Sequence, residues 1–144
     1  MTRHTLAAAA LLASVPLAAQ STTQDEIEVR YDRALAAGYK ALFMCSAIAN
    51  AERNGATRTP ESVEAWELTS IQAPLNSIID DLPYRIHRDG SGELHSVSVE
   101  WTDDALPRMA VHNSRRGCSQ LPIGGAPLPI VTKRPALQRD HAAL

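Results

Sequence analysis

The chain has two cysteines, Cys45 and Cys118, set 73 residues apart. Its first nineteen residues have the three parts of an export signal. Arg3 and His4 form a short basic region, and Leu6 to Ala13 is an apolar run of alanine and leucine. Val15-Pro16-Leu17-Ala18-Ala19 then supplies a helix breaker and small residues suited to cleavage, which places the cut after Ala19. The apolar run is too short to span a bilayer, which takes about 20 residues, and no other segment reads as transmembrane. In an exported protein a lone cysteine pair reads as a structural disulfide rather than a catalytic or metal-binding pair. In the chain-entropy account, closing so long a loop stabilises the fold by ~4 kcal/mol. That is comparable with the whole net stability of a small domain.

The mature chain, about 125 residues, fits one domain. The organisation is read as a signal peptide over 1–19, a small module over 20–121 and a proline-rich tail over 122–144. The formal charge of −2 becomes one unit more negative when Arg3 leaves. No basic field remains for nucleic acid or anionic lipid. Two tryptophans, three tyrosines and one phenylalanine are also too few for a platform on which single strands stack. The expected location is the periplasm or the medium, with no nucleic-acid partner and no membrane after signal cleavage.

A polar spacer, Ser21 to Gln24, precedes a helical pattern from about Glu26 to Arg53. Leu35, Tyr39, Leu42, Cys45 or Ser46, and Ala49 recur at three- and four-residue steps as one apolar face. Gly38 weakens the middle of this helix by about 1 kcal/mol relative to alanine, and Asn54-Gly55 stops it. Thr59-Pro60-Glu61 restarts a short helix, with threonine as N-cap and proline at the first position. Val63, Trp66 and Leu68 are its expected inward residues.

Leu82 to Trp101 predicts a β-hairpin turning at Asp89-Gly90-Ser91-Gly92. A symmetric turn sets Ile86 opposite His95, Tyr84 opposite Val97 and Leu82 opposite Val99, all on one face. Arg85, His87, Ser96, Ser98 and Glu100 fall on the other. A third strand over 108–113 is expected to turn Met109 and Val111 inward and lead to Gly117-Cys118. The predicted class is α+β: a long helix and a short one packed on an antiparallel sheet of about three strands. A Pro/Gly-rich tail follows.

The residues of chemical interest have plain structural explanations. His87, His95 and His112 lie on predicted strands, but zinc needs three or four ligands converging on one point, and the register puts His87 and His95 on opposite faces. Cys45 followed by Ser46 suggests a nucleophile at a helix, yet no adjacent base is fixed by the sequence. Asp80-Asp81 and Asp103-Asp104 flank strands as turn and cap residues do. Gly90-Ser91-Gly92 lacks the spacing of a nucleophile elbow. No catalytic, cofactor or metal residue is assigned, and no cofactor is expected.

The order of motifs resembles a known arrangement. Ala-Gly-Tyr-Lys-Ala-Leu-Phe-Met-Cys-Ser opens it, Thr-Pro-Glu-Ser-Val-Glu follows, and Arg-Arg-Gly-Cys-Ser-Gln-Leu-Pro closes it. It is similar to the N-terminal region that precedes the catalytic domain in some exported bacterial serine hydrolases of the β-lactamase-related family. The likeness covers about Ala37 to Gly124, most firmly at Gly38-Tyr39, Cys45-Ser46 and Gly117-Cys118 followed by Leu121-Pro122. Such enzymes use a serine in S-x-x-K, with a lysine or a Y-x-N tyrosine moving its proton. Neither Lys40 nor Lys133 has a serine three residues before it, Y-x-N does not follow Tyr31, Tyr39 or Tyr84, and K-T-G is missing. The resemblance thus implies a non-catalytic accessory module, which would dock on a serine hydrolase catalytic domain through an exposed apolar patch. The tail from Pro127 would be where the family's chain runs on toward that domain, so this chain reads as the module alone. A stand-alone exported binding protein is the alternative, and a small hydrolase using Cys45 or Ser46 a further one.

Overall fold

The computed structural model describes residues 17–127, and within the first helix the side chains from residue 23 onward. The basic and apolar parts of the signal, and the tail beyond Pro127, lie outside the described residues. Helix α1 runs from Leu17 to Arg53, 37 residues. It therefore begins well before Glu26 and passes through the expected cleavage position and the polar spacer without a break. No proline interrupts residues 17–53, and the spacer supports the helix, as in the Gln24 to Glu28 side-chain bond at 3.1 Å.

Helix α2, Pro60–Glu67, starts as its sequence predicts: the Thr59 hydroxyl accepts from Ser62 N at 3.3 Å and proline occupies the first turn. Two short 3₁₀ turns follow, Leu75–Ser77 and Ile79–Asp81. The sheet has four antiparallel strands in sequence order: β1 (Tyr84–Arg88), β2 (Leu94–Val99), β3 (Arg108–Asn113) and β4 (Gly117–Gln120). The fold is α+β, with one strand more than expected because Gly117–Gln120 folds back on β3. Gly117 makes that return possible with a φ of 79°.

One sheet face lies under α1, which packs on β2, β3 and β4. The buried side of the helix is made largely of small residues, Ala34, Ala37, Ala41 and Ala49, with Met44, Cys45 and Ile48 among them. They meet Val97, Val99 and Ala110. Small side chains let backbone approach backbone, and at Gly38 a Cβ would overlap the side-chain amide of Gln120 on β4. By composition a stretch of α1 is apolar enough to cross a membrane, contrary to expectation, with a mean hydropathy of 1.2. More than half of that stretch, 56%, is buried inside the domain, so its apolarity is spent on the sheet.

The hairpin forms at Asp89 to Gly92, but its pairing is shifted two residues from the symmetric reading: Tyr84 faces Val99 and Ile86 faces Val97. The Asp89 carboxylate accepts from Ser91 N, Ser91 Oγ and Glu93 N, which draws Glu93 into the turn. The register then slips again next to Arg88, where His95 is the extra residue. Two single slips restore parity, so Tyr84, Ile86, Val97 and Val99 share the expected face, but Leu94 is buried in the place expected for His95, which stands in the bulge half-buried. The faces of β3 are not those expected. Arg108 and Ala110 are buried under the helix, and Met109 and Val111 turn to the outer face, beside Ser98 and Ser96. The reason lies in Cys118, which pairs with His112 and bonds to the helix, and so fixes which side of β3 faces α1.

Candidate interaction surface

Packing the small residues of α1 inward leaves its large ones outside. Ile27, Tyr31, Leu35, Tyr39 and Phe43 recur every fourth residue as one ridge. All are exposed except Leu35, which is half-buried. Tyr39 and Phe43 keep 46% and 37% of their surface in water and stack with ring centroids 6.3 Å apart. The ridge is about 24 Å long at 1.5 Å per residue. Leu35 and Tyr39 were expected on the inward face. The core prefers alanine there because only small side chains fit between helix and strands.

A groove adjoins each end of the ridge. Toward its C-terminal end, Leu35, Tyr39 and Phe43 face the segment Ser70 to Leu75, with its cis Ala73–Pro74 peptide, across about 450 Å³. Toward its N-terminal end, Ile27, Val29, Arg30 and Arg33 face Pro83, Glu100, Trp101 and Asp103 across about 850 Å³. Trp101 anchors this second groove. Its Nε1 donates to Leu106 O at 3.0 Å, its carbonyl accepts from Arg33 Nε at 2.9 Å, and the Arg30 guanidinium lies 5.1 Å over its ring. Arg30 also pairs with Asp104 at 2.9 Å. The Thr102 hydroxyl, then Arg30, hold the Asp104 carboxyl below the usual range. Trp66, expected inward, is 75% exposed. Val63 packs inward and Glu64 turns to the core on the same side of α2, which leaves Trp66 facing out.

Glu64 turns inward to meet Lys40, the buried cation that sequence reasoning missed. Lys40 is 1% exposed. Its Nζ donates to Ile79 O at 3.0 Å and Asp80 O at 3.2 Å, and pairs with Glu64 Oε1 at 3.0 Å. The Tyr84 ring lies 5.1 Å away. Burial, then the charges of Glu64 and Glu61, push the Tyr84 phenol up. The ammonium satisfies two carbonyls of a 3₁₀ turn and ties α1, α2 and that turn together. The only sequence signal was a lysine inside an otherwise apolar helical run. Arg108 was missed as well. It is buried, donates through Nη1 to Leu121 O at 3.1 Å, leaves Nε without a partner among the described residues, and has its pKa pushed down by burial.

The residues considered for catalysis are scattered. Cys45 is buried and bonded to Cys118, with Cα atoms 6.0 Å apart, which removes it as a nucleophile. Ser46 is half-buried in a shallow hollow with Asn50, Arg58 and Glu67, and no histidine lines that hollow. His87 Nε2 lies 2.8 Å from Ser98 Oγ on the outer sheet face, and His112 Nδ1 lies 3.0 Å from Leu94 O. The Ser98–His87 pair has the spacing of a nucleophile and base. Ser98 is buried on a central strand paired in the ladder on both sides, not in a cleft with donors aimed at an oxyanion. Asp104 grips Arg30, while Asp103 lines the Trp101 groove. Among the described residues, no three His, Cys, Asp or Glu side chains gather as a metal site. No protein-family model, curated protein or solved structure matches this chain.

Proposed function

We propose that this chain is a non-catalytic accessory module of an exported serine hydrolase of the β-lactamase-related family, docking on the catalytic domain through the outer ridge of α1. The observation that carries the reading is the row Ile27–Tyr31–Leu35–Tyr39–Phe43, a contiguous and largely exposed apolar surface on a domain that already has a complete core. Aromatic side chains of this kind supply large, stiff contact area at protein interfaces. The disulfide suits an exported module, and the motif order of Ala37 to Gly124 points to the family. The test mixes the mature chain with a β-lactamase-related catalytic domain from the same genome. Binding is expected by calorimetry, with at least a tenfold loss in the double variant Tyr39→Ser, Phe43→Ser. Turnover of a chromogenic ester by the chain alone, or binding indifferent to that variant, would overturn the proposal.

The Trp101 groove favours a second reading, a self-sufficient exported binding protein. Saturable ligand-induced shifts at Trp101 that leave Tyr39 and Phe43 unperturbed would separate it from the first.

A further inference from the structure

The groove beside Trp101 combines apolar walls with an acidic rim. Val29 on α1 and Pro83 line it as apolar side chains, and the buried Trp101 lines its base. Asp25, Glu26, Glu100 and Asp103 line it too, all of them exposed. The groove's two cations are already engaged: Arg30 by Asp104 and the Trp101 ring, and Arg33 by the Trp101 carbonyl. Glu100 has a loose partner, Arg85 at 3.8 Å. Among the described residues, none of Asp25, Glu26 and Asp103 pairs with a cation. A complementary occupant therefore brings its own positive charge, together with apolar groups for the walls.

The carboxylates are spread out rather than gathered. Two lie on α1 and two in the loop that follows β2, and among the described residues no three His, Cys, Asp or Glu side chains come together as a metal site. The rim thus offers separate contacts to several cations, not one point of convergence for a single ion. From Asp25 to Arg33 the α1 wall is about 12 Å long at 1.5 Å per residue. An extended chain covers that length with about four residues. Its side chains point alternately to opposite sides, so aliphatic ones can enter beside Val29 and Pro83 while cationic ones reach the rim. The volume, about 850 Å³, is that of a ligand cleft.

We infer, resting on the binding-protein reading of this groove, that its ligand is an extended cationic segment of another polypeptide, in which lysine or arginine alternates with aliphatic residues. The rim draws the segment in by an attraction that salt screens. Burial of its aliphatic side chains against the walls retains it.

The probe is the peptide acetyl-Leu-Lys-Leu-Lys-Leu-Lys-amide, titrated into the full chain while NMR follows the Trp101 indole N–H and the Val29 methyls. Saturable shifts at both are expected, with affinity falling about tenfold from low salt to about 0.5 M. The variant Glu26→Gln with Asp103→Asn, two exposed positions outside the core, should weaken binding about tenfold. The peptide with serine in place of leucine should bind at least about tenfold more weakly, for want of apolar side chains. Saturation at Trp101 by the peptide with glutamate in place of lysine, as tightly as by the lysine peptide, overturns the cationic ligand and leaves the groove a binding site. So does an affinity indifferent to the double variant. No shift at Trp101 from any of the three peptides overturns both the cationic ligand and the binding-protein reading.

Discussion

The two halves of α1 are one continuous helix held by different forces. From Ala34 to Ala49 the helix lies flat on the sheet, bonded through Cys45, anchored through Lys40 and pressed against β4 at Gly38. From Thr23 to Arg33 it is exposed, and its ties to the sheet are polar ones: Arg30 to Asp104 and Thr102, and Arg33 to the Trp101 carbonyl. Buried ties resist water and salt, while exposed ion pairs contribute little. One helix therefore carries both the foundation of the domain and its most accessible surface. Native-state hydrogen exchange should show amides after Ala34 opening only with the whole domain, and those before it opening locally.

The largest test of the contrast is the disulfide. Cys45→Ser with Cys118→Ser should lower stability by about 4 kcal/mol in urea melts, and a reductant should do the same to the native protein. A loss well below this would mean that burial alone fixes the C-terminal half. Lys40→Met comes next. It strands the Ile79 and Asp80 carbonyls and the Glu64 carboxylate, at about 3 kcal/mol. Glu64→Gln should cost less, since that side chain is partly in water. Gly38→Leu should cost about 2 kcal/mol by overpacking against the Gln120 and Arg108 side chains, a displacement visible at the Gln120 side-chain amide by NMR.

Tyr39→Ser with Phe43→Ser should leave stability within about 0.5 kcal/mol of the parent while removing partner binding. A large stability loss would show that the ridge belongs to the core after all. Acid gives the smallest effect. The Asp104 carboxyl is held below its ordinary range, so its contribution is complete above pH ~4 and fades as pH falls through its folded value. Exchange in residues 23–33 should quicken there before the rest of the domain responds, and Asp104→Asn should abolish that acid step.

Elements announced by turn and cap chemistry were legible in the sequence: the Asp89 to Gly92 turn, the Thr59 cap, the stop at Asn54-Gly55. Facing was legible where parity survived. Between β1 and β2, the Asp89 carboxylate and the bulge at His95 displace the register by one residue each, and the two add to an even shift that keeps parity. Side-chain size misled the rest. Reading the apolar stripe of α1 through Leu35 and Tyr39, and of β3 through Met109 and Val111, follows the largest hydrophobes. In this domain helix and sheet meet through alanine and glycine, so the large residues go to the surface. Lys40 is hidden for a related reason: nothing local shows that a 3₁₀ turn forty residues on will offer it two carbonyls.

The cysteine bond has a consequence for how the chain matures. With two cysteines in the sequence, a single intramolecular pairing is possible, so the protein needs an oxidant and has no wrong bridge to unscramble. Cys45 is synthesised 73 residues before Cys118, and during that interval its thiol can meet only strangers. The alanine-lined face around it has no sheet to cover it until β3 and β4 arrive. The same pair that locks the finished domain is thus a liability while the chain is still being made.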